Sequence, residues 1–259
     1  MSVRYSGAVR FGELVRVHAR TARRQRSLWY ATVPLTLLAV LLSVDAPAAP
    51  GTGGIDDLVF VARVMGTLIG IAYAAAFTGL LVAPARLGVD ELELSTPVGT
   101  TTLGAARVLG AFAVVMVPPL VVLVGVGLVQ TVGGSWTGLP AALLVAVAME
   151  VPTVLCALAV SALAGSVLPQ ALARVVAVLT WLYLTMMTPA IPVPGVTGTV
   201  LGVVGEGFAS LVSPRFFWVN GPLATAPGPV VAAVSLLWQL ALVLTCLVVG
   251  SRLAGRSRR

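Results

Sequence analysis

Residues 103–129 read LGAARVLGAFAVVMVPPLVVLVGVGLV, a run whose only charge, Arg107, stands near its start. The run exceeds the about 20 apolar residues that carry a helix across a hydrocarbon layer of roughly 30 Å. It also lacks the polar stripe that a helix on the surface of a water-soluble domain presents to solvent. Comparable runs recur at about 29–44, 58–82, 140–167, 171–188 and 230–249. Across the 259 residues, 58% are hydrophobic and 10% charged, with a mean hydropathy of +1.03. That balance lies outside the range of water-soluble domains. The expected fold is all-α: a polytopic membrane protein whose six transmembrane helices occupy residues 29–252.

The ends of the runs carry the arginines, and no lysine occurs in the sequence, which reads as the coding bias of a GC-rich bacterium. The leader, residues 1–28, holds Arg4, Arg10, Arg16, Arg20, Arg23, Arg24 and Arg26, with Phe11, Leu14, Val15 and Trp29 spaced as one apolar stripe. Such a pattern predicts an amphipathic helix lying at the membrane interface; the plainer alternative is a charged tail that only orients the first span. Arg86, Arg107, Arg174 and the basic tail 253–259 fall on the same side as the leader. Only Arg63 and Arg215 fall opposite. Positive residues collect in the cytoplasm, so a bacterial cytoplasmic membrane location with both termini cytoplasmic is expected. This distribution, at span ends and without interleaved aromatics, also argues against nucleic acid as a partner. A cleaved signal would rest on Arg23-Arg24 and Ala46-Pro47-Ala48, but the apolar run is long for a signal, and Asp45 and Pro47 crowd the site.

Two long connections stand out. Residues 84–102 form the most charged interior loop, with Asp90, Glu91 and Glu93 before Ser95-Thr96-Pro97. DELEL predicts a short helix ended by Pro97, because the ring disfavours helical geometry in the residue before it; Thr100-Thr101-Thr102 offer capping hydroxyls for the next span. Residues 189–229 are too apolar for an ordinary outer loop. They are expected to re-enter the membrane as a short helix over Gly198 to Ser213 packed on the spans, with Phe216, Phe217 and Trp218 as interfacial anchors.

Inside the spans, Pro118-Pro119 should free backbone carbonyls and bend their helix unless neighbours take those carbonyls up. Gly66 and Gly70 form a GxxxG spacing that permits close helix approach. Glu150 is the carboxylate nearest mid-membrane, about ten residues or roughly 15 Å from the outer end of its helix. An ionisable group at that depth faces the bundle interior or a cavity. It serves either in the substrate pathway or as structural glue, protonated or paired with Arg63 or a hydroxyl.

The chemistry of an enzyme is not legible. Without lysine, the G-x-x-x-x-G-K-[ST] phosphate loop cannot form, so any ATP is bound by a partner and no cofactor is expected in this chain. The single histidine, His18, lies in the leader, and Cys156 and Cys246 sit in apolar runs, too few ligands for a zinc site. No catalytic or metal-ligating residue is assigned.

The run DELELSTPVGTTTLGAARVLG resembles a segment of permease subunits of type-2 ATP-binding-cassette exporters, an E-x-L-x-x-T-P pattern followed by a basic residue and a glycine. The matching positions are Glu91, Leu92, Thr96, Pro97, Val98, Arg107 and Gly110. It departs from the pattern in carrying Gly99 and three threonines where basic residues usually follow. SLVSPRFFWVNGPL is similar to the family's outer Ser-Pro element at Ser213 and Pro214. The resemblance implies that Asp90, Glu91, Leu92, Glu93, Thr96 and Pro97 belong to a coupling helix on a separate cytoplasmic P-loop ATPase. It also implies that two permease copies or paralogues pair in the lipid, and that the cargo is drug-like, lipidic or a peptide. The competing readings are a proton-coupled secondary transporter with Glu150 as relay, and a non-transporting membrane scaffold or immunity protein.

Overall fold

The computed structural model describes residues 7–44, 54–82, 100–187, 195–212 and 228–256, and every regular element among them is a helix. The expected coupling loop and its residues Asp90 to Pro97, the Ser213-Pro214 element and the 216–218 aromatics lie outside the described residues. In chain order the helices are α1 (Gly7–Arg23), α2 (Arg26–Val44), α3 (Ile55–Ala76), α4 (Thr100–Val115), α5 (Val117–Val132) and α6 (Gly138–Val145). A π-helical turn (Ala146–Glu150) then leads into α7 (Val151–Val167), followed by α8 (Gln170–Met186), α9 (Glu206–Val212) and α10 (Pro229–Arg256).

Five continuous helical stretches are long and apolar enough to cross a membrane: Arg26–Ser43, Ile55–Ala76, Thr102–Val132, Gly138–Val167 and Pro229–Ala254. The expected fifth span, α8, is apolar but has 17 residues, about 25 Å at 1.5 Å per residue. Large apolar side chains face outward on these helices, among them Leu37 and Leu41 on α2, Val121 and Val129 on α5, and Leu237 and Leu244 on α10. A surface so apolar is matched to hydrocarbon rather than to water. The architecture is that of a helical multi-pass membrane protein.

Two stretches form the centre. Within an 18-residue stretch of Ile55–Ala76 and of Gly138–Val167, 61% and 56% of the residues are buried, against 17% for the peripheral Arg26–Ser43. Helix α3 packs against α2, α5, α6, α7 and α8, while α10 closes on α7 and α9. The GxxxG pair works as expected for close approach. A Cβ at Gly66 would press on the Thr153 and Val204 side chains, and one at Gly70 would overlap the Trp181 indole. Trp181 is fully buried there, its Nε1 donating to the Thr67 carbonyl at 3.1 Å.

The double proline divides one long span into α4 and α5. Pro119 has no N–H to give Val115, one turn earlier, and the freed carbonyl accepts the Tyr73 hydroxyl of α3 at 2.5 Å. A neighbouring helix thus satisfies the orphaned group, as the absence of water in lipid requires.

Several boundaries differ from the sequence reading. Helix α3 begins at Ile55 rather than near 58, with Asp56 and Asp57 in its first turn, where the positive end of the helix dipole favours them. It ends at Ala76 instead of continuing to 82, and the chain runs on through the turns Leu80 N–H to Phe77 carbonyl and Val82 N–H to Gly79 carbonyl. Thr100, Thr101 and Thr102 are all helical in backbone, at the start of the described part of α4. Among the described residues of the segment expected to re-enter, 195–212, only Glu206–Val212 is helical, with turns before it, because Gly198 and Gly205 adopt positive φ (78° and 68°), a conformation that interrupts a right-handed helix. The last helix continues to Arg256, beyond the expected end near 249.

One crossing is tighter than any glycine pattern foretold. A Cβ on Gly165 of α7 would fall on the carbonyl of Thr78, which is backbone and cannot swing aside. Gly165→Ala is expected to destabilise the protein by about 2 kcal/mol through overpacking. Gly125→Ala, where the added methyl meets nothing within 4 Å, should be neutral or gain up to about 1 kcal/mol from helix propensity. Thermal unfolding of both variants in detergent is the check, and equal midpoints for the two would contradict the close crossing.

Candidate functional site

The polar groups of the core converge where the π turn, α3, α10 and the 195–212 segment meet. Pro152 removes one donor just after Glu150, and the turn before it widens, so that the Val151 N–H reaches the Ala146 carbonyl five residues back. Single π turns inside α-helices occur frequently at functional sites. Here the widened turn carries Glu150 inward to 1% exposure. It lines a crevice with Gly66, Gly70, Tyr73, Pro119 and Thr153 that has no room for a water-sized sphere. Its Oε1 has no hydrogen-bond partner among the described residues.

Thr153, one turn along, ties this bulge to the segment above. Its hydroxyl is within 2.6 Å of the Met149 carbonyl and 3.1 Å of the Val203 carbonyl. At Gly205 a Cβ would press on Met149, so the segment's turn rests directly on the bulge. Helix α10 holds the same turn from the other side. Gln239 Nε2 donates to the Gly202 carbonyl at 2.9 Å, and Trp238 Nε1 to the Leu201 carbonyl at 3.2 Å.

Glu206 follows at once in the chain and is as deeply buried as Glu150. Its carboxylate lies against Gly202, where a Cβ would strike it. Neither oxygen has a hydrogen-bond partner among the described residues, nor do the neighbouring Ser235 Oγ and Gln239 Oε1 of α10. Burial pushes the Glu206 carboxyl above the ordinary carboxylate range. The Arg63 guanidinium of α3 pulls it back, helped by the N–H groups of Gly198, Val204 and Glu206, which stop short of hydrogen-bond geometry.

This arrangement assigns the charge of Arg63 differently from one of the sequence alternatives. Arg63 stands in the field of Glu206, not as the partner expected for Glu150. Chemically, the column can hold or release protons at two carboxyls within a dry bundle. Those carboxyls stand on opposite sides of a contact between the 195–212 segment and the long helices.

The leader supplies a second polar feature. Phe11, Leu14, Val15, His18, Ala19 and Ala22 of α1 turn inward while Arg16, Arg20 and Arg23 are exposed, the one-sided stripe expected from the sequence. The apolar side lies along α4, and a Cβ at Gly110 would press on His18 and on the backbone of Val15 and Ala19. Trp29 Nε1 donates to the Arg23 carbonyl at 2.8 Å and secures the corner into α2. Arg107, one turn before Gly110, is buried. Cys156 and Cys246 are free and buried.

Sequence reasoning singled out Glu150 and left Glu206, Tyr73, Thr153 and Gln239 unremarked. Glu206 did carry a signal, as the only charged residue between 189 and 214. No family model and no curated protein matches the sequence.

Proposed function

We propose that the chain is the transmembrane permease subunit of an ATP-driven exporter, with ATP bound and hydrolysed by a separate cytoplasmic P-loop ATPase. In this reading it spans the bacterial cytoplasmic membrane six times, with α8 as the fifth crossing and both termini in the cytoplasm. Two copies or paralogues pair around a pathway for a drug-like, lipidic or peptide substrate. The observation that carries the reading is the seating of α1 along α4 at Gly110. That contact joins the basic leader to the helix that begins directly after the E-x-L-x-x-T-P segment, so a force applied to one is passed to the other.

The 195–212 segment supports the same reading. It is a non-spanning element pinned onto the bundle by Thr153, Gln239 and Trp238, the kind of contact that a conformational switch in the spans would remake. The proton-coupled alternative draws on the burial of Glu150 in its π turn, because intramembrane carboxyls serve proton relays.

Purification of the tagged protein in mild detergent from its host, followed by mass spectrometry of what co-purifies, separates the two. A P-loop ATPase in near-equal amount, lost on Glu91→Arg with Glu93→Arg, is the expected result. Intact permease recovered without any ATPase would overturn the exporter reading in favour of the proton-coupled one.

A further inference from the structure

Beside the polar column, α7, α8 and α10 part to leave a groove of about 450 Å³. Its walls include Ala164 of α7, Val176 and Thr180 of α8, and Trp238 and Leu242 of α10. At one end Val196, Leu201 and Val203 of the 195–212 segment close it, and the Trp238 bond to the Leu201 carbonyl holds that cap in place. The other end, at Val167 and Leu168, is where α7 turns into α8.

From this geometry we infer that the groove is a binding site for one acyl chain of an anionic membrane lipid, its chain end beneath the cap and its head group at the Leu168 end. The inference needs only that the helices cross a membrane, and it stands apart from the exporter reading. The volume equals about fifteen liquid waters at roughly 30 Å³ each. Water is not held there, since an ordered water requires two to four polar partners and the walls are almost wholly aliphatic. The space lies between helices whose outward faces are matched to hydrocarbon, so hydrocarbon is what enters it.

The charge at the open end selects the head group. Arg174 is exposed two residues before Val176, about 3 Å along α8, and Arg252 is exposed six residues beyond Cys246, about 9 Å along α10. Long arginine side chains reach the head-group layer from such positions. No acidic residue of α7, α8 or α10 opposes them.

Trp238 in the groove wall provides the test, because a brominated acyl chain quenches an indole on contact. The full chain in detergent micelles is titrated with dibrominated phosphatidylglycerol and, separately, dibrominated phosphatidylcholine. The Trp238 contribution is the difference between the wild type and Trp238→Phe, and exposed Trp136 remains in both proteins as the general reporter. Quenching of Trp238 should saturate, with half-saturation at least about fivefold lower for phosphatidylglycerol. The saturating component should vanish in Ala164→Phe and in Thr180→Phe, whichever retains the wild-type unfolding midpoint.

Quenching that rises linearly with lipid and ignores the groove-filling variants means boundary lipid alone and overturns the proposal. Equal half-saturation for the two lipids overturns it as well. A Trp238 that no lipid quenches would overturn it in favour of a groove covered by a second copy of the chain.

Discussion

Arg63→Met should destabilise the protein by about 1–3 kcal/mol, the scale of leaving a buried polar group without compensation. Arg63 is the positive charge acting on Glu206, and Glu206 sits at 1% exposure with both oxygens unbonded among the described residues. Methionine keeps most of the side-chain volume, so the loss reports the charge and not a cavity. Glu206→Gln added to the Arg63→Met variant should recover most of the stability, because a neutral amide no longer requires a countercharge. Unfolding midpoints of the two single variants and the double variant form a cycle whose coupling should exceed either single effect's scatter. Additive losses would mean that the two side chains do not act on each other.

The pH dependence follows with a definite sign. The Glu206 carboxyl titrates above its ordinary range in the folded protein, so the folded state holds its proton more tightly than the unfolded chain does. Stability attributable to this group is therefore greatest at acid pH and falls as pH rises through its titration. Removing the Arg63 charge moves the folded carboxyl further up. The deficit of Arg63→Met should accordingly be smallest near about pH 5 and grow toward about pH 8, and the double variant should show no such slope.

The spans were readable because lipid imposes a length requirement that any long apolar run meets, whichever way its faces turn. The same uniformity hid the packing. In water a helix marks its buried face by hydrophobicity, but in lipid both faces are apolar, and small residues and rare polar ones are the remaining markers. Gly66 and Gly70 were legible that way and do cradle Thr153, Val204 and Trp181. Gly165, which admits the Thr78 carbonyl, has no glycine four residues away to reveal it, and Gly202, which admits the Glu206 carboxylate, is spaced four from Gly198 but stands in turns, where that spacing marks no helix face. The proline pair announced a break, yet only the crossing of α3 could say that Tyr73 would take up the Val115 carbonyl. Gln239, wholly buried in a mainly apolar helix, was a polar marker of the column in its own right.

In the exporter reading, Glu150→Gln is expected to leave assembly unchanged while reducing export about a hundredfold, the scale of losing a positioned proton-transfer group. The two side chains are nearly isosteric, so the crevice against Gly66, Gly70 and Tyr73 stays filled. What is lost is the ability to change charge in a place where water cannot enter. The bulge bearing Glu150 contacts the Gly205 turn through Met149 and the Val203 carbonyl through Thr153. A proton gained or lost there therefore changes the electrostatics of the joint between the spans and the 195–212 segment. Efflux of a panel of lipophilic dyes from cells expressing the protein, together with any ATPase that co-purifies with it, measures the effect, and size-exclusion profiles establish that assembly persists. Full efflux by the Glu150→Gln variant would reduce Glu150 to structural glue. Lost efflux together with lost assembly would do the same, because a residue that only holds the bulge in place fails in both assays at once.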